Sequence, residues 1–240
     1  MSKKPVTLIV ALVLVIAGIA WLTASRVDKN VSLVLEKTAS DILKTDVTLS
    51  GLSIDMKAGT ATVDGLVVAN LSGYAGKHII TIQSIESVLD NSSMQENLLI
   101  IESMRIDGTE IFYESNRPGV SNLHLLLENI KTASMEPGSA GTNSDLKTII
   151  RKLEIGSGVI NGNSVKTPEK VKRVSIPPVE IFNIGQAQGG LSTEEVARVV
   201  AGELVHTILR TVANSRLDIA IKPTDTKWLD AVKKDLQPDA

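Results

Sequence analysis

Residues 46–70 alternate apolar and polar side chains with a period of two, and the alternation changes parity after Gly51 and again after Gly65. Such alternation is typical of a strand with one buried face and one wet face. A glycine at a parity break indicates a bulge, in which one extra residue keeps both apolar sets on the same side. The stretch therefore predicts a hairpin of two long, bulged, antiparallel strands joined at 57–59. Its apolar positions are Val47, Leu49, Leu52, Ile54, Met56, Ala61, Val63, Leu66 and Val68.

The same pattern recurs around Gly108, where the apolar set passes from Met104 and Ile106 to Ile111 and Tyr113. Alternation or short apolar runs predict further strands along both halves of the chain. They lie near 78–89, 97–107, 109–114, 146–155, 159–161, 171–176 and 179–184. The pattern as a whole predicts an α+β fold, in which a long-stranded, bulged, mainly antiparallel, twisted and groove-like β-sheet is accompanied by a few amphipathic helices.

Apolar residues at helical spacing predict amphipathic helices at 30–43, 121–131 and 192–212. The last of these begins with a capping box, Ser192-Thr193-Glu194-Glu195. The first has two interpretations: it packs on the sheet, or it lies near a bilayer and caps one end of an apolar groove.

The small and polar residues at 132–145 predict a flexible linker between two halves of the folded part. The predicted organisation has four parts. They are a cytoplasmic stub and transmembrane anchor at 1–27, a helix-plus-sheet module at 28–131, the linker at 132–145, and a second sheet half with helix and tail at 146–240.

Residues 6–24 contain no charge in 19 positions, which is enough to cross a hydrocarbon core of ~30 Å as a helix. The alternative is a cleaved signal peptide, but the apolar run is longer than usual and the site ending at Ala24 is poor. We therefore expect a single-pass inner-membrane protein with a cytoplasmic N-terminus and the bulk of the chain in the periplasm. Representative anchor residues are Val6, Leu14 and the interfacial Trp21.

The residue inventory argues against most kinds of chemistry. Cysteine is absent, so disulfides, thiolate metal sites and a lipoprotein cysteine are excluded. The three histidines, His78, His124 and His206, show no paired spacing of metal ligands. The net charge of −2 gives no basic stripe for nucleic acid. We expect no catalytic residue, no metal and no cofactor, and hence no enzyme. Aromatic residues make up only 2%, so aliphatic side chains must provide nearly all the burial.

The chain combines an anchor, an amphipathic helix, the strand pair DVTLSGLSIDMKAGTATVDGLVVAN, the run ENLLIIESMRIDGTEIFYE and a GVSNL turn into a helix. In this order the elements over 35–131 resemble the N-terminal module of the AsmA-like family of bacterial membrane-anchored proteins. The later VSIPPVEIFNIGQAQGGLSTEEVARVV resembles the tail of short members. The resemblance implies an aliphatic β-groove that conducts phospholipid across the periplasm, and no catalytic residue carries over. About ten strands at ~4.8 Å spacing would extend only ~50 Å, too short to bridge two membranes.

Two hypotheses follow for the apolar strand face. In the first it lines an open groove that binds phospholipid or acyl chains near the inner membrane and helps to transfer them. In the second the helices at 121–131 and 192–212 cover it and leave no groove, and the protein is a structural or interaction protein, or an assembly factor that works with another envelope protein. Asp substitutions at Ile54 and Val68 would abolish lipid binding in a groove and unfold a core. The residues predicted to face lipid are Val47, Leu49, Leu52, Ile54, Val63, Leu66, Val68, Ile106 and Ile111.

Overall fold

The computed structural model describes residues 30–55, 57–90, 97–117, 120–123, 125–126, 129, 147–164 and 167–192. The predicted anchor, with Val6, Leu14 and Trp21, lies outside these residues, as do the linker and nearly all of the helix predicted at 192–212. Within the described part of the chain, no helix is long and apolar enough to cross a membrane.

The described residues form one helix, a second helical segment and a single sheet, with one short strand, β7, attached at its end. The helix is α1 (Asn30–Leu43), and the second helical segment has helical residues at 122, 123, 125, 126 and 129. The strands are β1 (Val47–Thr48), β2 (Gly51–Asp55), β3 (Thr60–Ala69), β4 (His78–Leu89), β5 (Leu98–Asp107), β6 (Glu110–Arg117), β7 (Val120–Ser121), β8 (Lys147–Ile155), β9 (Gly158–Ser164), β10 (Thr167–Ile176), β11 (Val179–Ile184) and β12 (Leu191–Ser192). The fold is therefore β-rich, as predicted.

Several of these strands are the two halves of one longer strand. Strand β4 pairs with both β5 and β6 in a single continuous register, with Ile85 opposite Ile106 and Ile80 opposite Ile111. In the same way, β8 pairs with β5 and β9 pairs with β6 in one continuous register. On their other side, β11 pairs with β8 and β10 pairs with β9, again in one register. Together with β1/β2, β3 and β4, the part of the sheet formed by the described residues therefore has six strand positions.

The merging of strands corrects the predicted size of the sheet. Six positions at ~4.8 Å spacing separate the outermost strands by about 24 Å, so the expected stack of ten strands and ~50 Å is wrong. The prediction failed because consecutive predicted strands lie end to end, as the shared register of β5 and β6 on β4 demonstrates.

The pairing at the centre of the sheet is parallel. Strand β5 runs parallel to β8, and β6 runs parallel to β9, whereas the other pairs are antiparallel. Parallel neighbours need a crossover of a dozen or more residues, which here is the chain between Arg117 and Lys147. The strands of the two predicted halves thus hydrogen-bond in one sheet.

A transverse crease crosses the sheet where these strands are interrupted. It consists of one residue from each strand position, and the register places these residues opposite one another along a line across the sheet. Gly65 and Gly108 adopt φ angles of 58° and 66° there. A Cβ on Gly65 would lie 2.3 Å from Ser50 Oγ, and one on Gly108 would lie 2.4 Å from Gln83 Cβ, so the strands approach closely. The crease residues are Ser50, Gly65, Gln83, Gly108, Ser157 and Pro177.

The crease changes the interpretation of the glycine parity breaks. Val63 and Leu66, on either side of Gly65, are both buried, so the apolar sets do stay on one side. The register is the same on both sides of Gly65, however: Asp64 pairs with Ser84, and Leu66 pairs with Ile82. A bulge in one strand alone would shift the register. The extra residue predicted at each parity break is therefore present in neighbouring strands at the same level, and for this reason the register between them does not shift.

Candidate functional site: the aliphatic face of the sheet

All nine residues predicted to face lipid lie on one face of the sheet and belong to, or pack against, a single aliphatic cluster. Six are at most 3% exposed: Val47, Val63, Leu66, Val68, Ile106 and Ile111. The other three, Leu49, Leu52 and Ile54, are partly buried and lie on the outer strand position formed by β1 and β2. The nine residues therefore share one face, and most of that face is buried within the protein.

Helix α1 covers the β1 edge of this face. Its residues Leu35, Ala39 and Leu43 are fully buried in the cluster. Their spacing of four places them on one side of the helix. The predicted helix therefore packs on the sheet.

Two polar side chains of α1 bind the backbone of the edge strand. The amide of Leu49 donates to Glu36 Oε1 at 2.7 Å, and the amide of Val47 donates to Ser40 Oγ at 2.8 Å. The Ser40 hydroxyl in turn donates to the Glu36 carbonyl at 2.7 Å. These contacts satisfy amides that an edge strand would otherwise present to solvent or to another chain.

The second helical segment adds Leu123 and Leu126 to the cluster. It also joins the end of α1, because Asn129 Nδ2 donates to the Leu43 carbonyl at 3.0 Å. Carbonyls in the last turn of a helix have no partner within the helix, so this amide supplies a cap. Both helical parts therefore cover the same end of the aliphatic face.

A buried polar network closes that end. Asn122 is fully buried; its Oδ1 accepts the amides of Glu114 at 2.9 Å and Leu123 at 2.8 Å. Its Nδ2 donates to the Phe112 carbonyl at 2.7 Å and to Asn70 Oδ1 at 3.1 Å. Such a satisfied network fixes one arrangement of the loops around it.

The Glu114 carboxylate extends the network into the loop between β3 and β4. It accepts the amides of Ala75 at 2.9 Å and Gly76 at 2.7 Å, and Asn70 Nδ2 donates to the Gly76 carbonyl at 3.0 Å. Sequence reasoning missed this cluster. Its members are up to 52 residues apart, and no local pattern signals their pairing.

The aliphatic face becomes partly exposed along its two outer strand positions. One border is formed by Leu49, Leu52 and Ile54 on β1 and β2, and the other by Val174, Val179 and Ile181 on β10 and β11. We call these two sets the rims. A ligand that approaches the face from solvent would first contact a rim.

The opposite face of the sheet carries charged residues in ion pairs, both within a strand and between neighbouring strands. Arg105 contacts Asp107 at 2.5 Å and Glu154 at 3.6 Å, and Lys152 contacts Glu154 and Glu180. The hydrogen bond from Lys152, and then the charges of Lys152 and Arg105, lower the pKa of Glu154, while the hydrogen bond to Glu154 raises the pKa of Lys152. These exposed pairs make this the solvated face.

Among the described residues, no group of three or more His, Asp or Glu side chains could hold a metal ion. Of the predicted histidines, His78 lies on β4 with its ring edge-on to Phe112, at a centroid distance of 6.4 Å. The other two, His124 and His206, lie outside the residues that the structure describes.

Comparison of the chain with protein-family models, curated proteins and solved structures gives no match.

Proposed function

We propose that this chain is a membrane-anchored periplasmic protein of AsmA-like type that binds phospholipid, or helps to transfer it, through its aliphatic sheet face. The observation that carries the proposal is the continuity of that face. It extends from Val47 on β1 to Ile176 and Ile184 on β10 and β11, with no buried charged residue in the part of the chain that the structure describes, and it stays on one side across the crease. An aliphatic wall of this kind suits acyl chains, whose transfer from water contributes ~0.8 kcal/mol for each buried methylene.

The rim on β1 and β2 is the place where an acyl chain would first bind. From Leu49 to Ile54 the strand rises about 17 Å. This length is close to one leaflet, half of the ~30 Å hydrocarbon thickness. The wall deeper in the face, including Val63 and Val68, is at most 3% exposed. A lipid that passed beyond the rim would therefore have to displace packed side chains.

The same burial favours a second candidate function. With six of the nine wall residues at most 3% exposed, the face serves as a closed core in this conformation. In that case the protein is an anchored structural or interaction protein, and its partner binds elsewhere on the molecule.

Native mass spectrometry of the full chain, released from a mild detergent and followed by lipid extraction, tests the first candidate. The result expected is near-stoichiometric phospholipid that delipidation removes without unfolding the protein. A lipid-free chain that unfolds cooperatively would overturn lipid binding and support the interaction protein.

Two substitutions then locate the bound lipid. Ile54→Asp changes a partly exposed rim residue, so we expect lost lipid with a retained fold. Val68→Asp places a carboxylate at a site only 1% exposed, so we expect unfolding. Ser53→Asp is the matched control because Ser53 is exposed on the same strand. Retention of lipid by the Ile54→Asp variant would exclude the β1–β2 rim as its site.

A further inference from the structure

Helix α1 runs antiparallel to β1 and β2. Ser40 contacts Val47, and Glu36, four residues earlier, contacts Leu49, two residues later. Four helical residues rise about 6 Å, and two strand residues rise about 6.6 Å. The two contacts are therefore separated by the same distance along the helix and along the strand, and the two chain directions are opposite. The N-terminus of α1 consequently faces the end of the sheet that carries the β2–β3 hairpin.

The hairpin extends beyond the start of the helix. Asn30 lies six residues before Glu36, or about 9 Å along the helix axis. Asp55, the last residue of β2, lies six residues after Leu49, or about 20 Å along the strand, and the turn at 57–59 adds about 5 Å. The turn thus projects about 15 Å past Asn30. Only five residues, 25–29, separate Asn30 from the apolar run at 6–24, and five residues span at most about 17 Å.

The opposite end of the sheet is too far from the anchor. Val47, Val68, Ile80 and Ile111 lie at one level across four strand positions. That level is about 15 Å from Asn30 along the helix. Strand β6 continues for six further residues to Arg117, which adds about 20 Å. The total of about 35 Å is twice the reach of residues 25–29.

We infer that the hairpin end of the sheet lies against the phospholipid bilayer surface, with the turn at 57–59 in contact with the headgroups. The inference rests on the anchor in the proposed function. Because the turn projects nearly as far as a fully extended 25–29 segment can reach, the bilayer meets it whenever the strands stand along the membrane normal. Two lysines, Lys57 and Lys147, are exposed at this end and suit lipid phosphates. The β1–β2 rim then begins next to the membrane.

The absence of cysteine permits a direct test with single reporters on the full chain. We would label the variants Ala58→Cys, at the turn, and Ser72→Cys, in the exposed loop at the opposite end, with a fluorophore. Each is reconstituted into vesicles of phosphatidylethanolamine and phosphatidylglycerol that contain a headgroup spin-labelled lipid, which quenches on contact. Flotation of the vesicles reports separately whether the chain is anchored. We expect flotation of both variants, with quenching at position 58 several-fold stronger than at position 72.

Three outcomes would overturn the inference. Flotation with equal quenching means that the sheet lies flat, and flotation with stronger quenching at position 72 means that the orientation is reversed. Flotation with no quenching at either position means that the turn stands clear of the bilayer. In these cases the anchor survives. A chain that fails to float refutes the anchor itself, and the proposed membrane-anchored function fails with it.

Discussion

The crease predicts that two glycines with the same φ angle respond very differently to substitution. Gly108 and Gly189 both have φ of 66°. A Cβ on Gly108 would lie 2.4 Å from Gln83 Cβ and 2.8 Å from Gln83 Oε1, whereas a Cβ on Gly189 would meet nothing within 4 Å. Gly189→Ala therefore measures the free-energy cost of the positive φ angle alone. Gly108→Ala measures that cost plus the cost of the steric clash with Gln83 on β4.

The magnitudes follow from these contacts. A non-glycine residue at positive φ costs about 1–2 kcal/mol, and the stiffer unfolded chain offsets about 0.4–1 kcal/mol of this. Gly189→Ala should thus lose about 1 kcal/mol. In Gly108→Ala the strands must also separate to relieve the clash, and overpacking adds about 1–3 kcal/mol. For a chain of this size, the additional cost lowers the Tm by about 2–12 °C more than in Gly189→Ala.

Thermal unfolding of the full chain in detergent, followed by circular dichroism of the sheet signal, measures both variants. Removing the opposing Cβ with Gln83→Gly should partly restore the stability of Gly108→Ala, which a double-mutant cycle would quantify. Equal losses at Gly108 and Gly189 would refute the reasoning, since the close approach would then contribute nothing. So would a cycle with no coupling between positions 83 and 108.

Two further predictions concern the polar network and the charged face. Asn122→Leu leaves the part-buried Glu114 amide and Phe112 carbonyl without their partner, so we expect a loss of about 2–4 kcal/mol in urea unfolding; a loss below ~1 kcal/mol would contradict this role. The pKa of Glu154 is lowered in the folded state by Lys152, so its contribution is present above the ordinary glutamate pKa of ~4.3. That contribution is lost as the pH falls through the lower folded value. Glu154→Gln should therefore slightly flatten the fall of Tm below about pH 4, and an unchanged acid limb would show that the pair contributes nothing.

Local patterns were sufficient to place the strands and their faces. The alternation around Val63 and Leu66 assigned both residues to the buried side, because side-chain direction in a strand depends only on the parity of nearby positions. The spacing in α1 likewise predicted an amphipathic helix, and packing on the sheet was one of its two interpretations. Leu35 and Leu43 of this helix are fully buried.

Contacts between distant segments were not predicted. Asn70 and Asn122 form a hydrogen bond although they lie 52 residues apart, and the local sequence around each predicts only an ordinary loop or turn residue. Whether Val68 lines a groove or a core could not be deduced from alternation, because both require the same apolar face. Its exposure of 1% depends on what packs over it.

By itself, then, the sequence determined which residues share a face and where each strand changes parity, because both depend on short-range geometry. Only the tertiary structure decided that β5 and β6 form one strand position and that their partners β8 and β9 run parallel to them. It also decided that the parity breaks align as one crease. Strand order and register are set by pairing between segments far apart in the chain, and the period-two pattern is compatible with many such pairings.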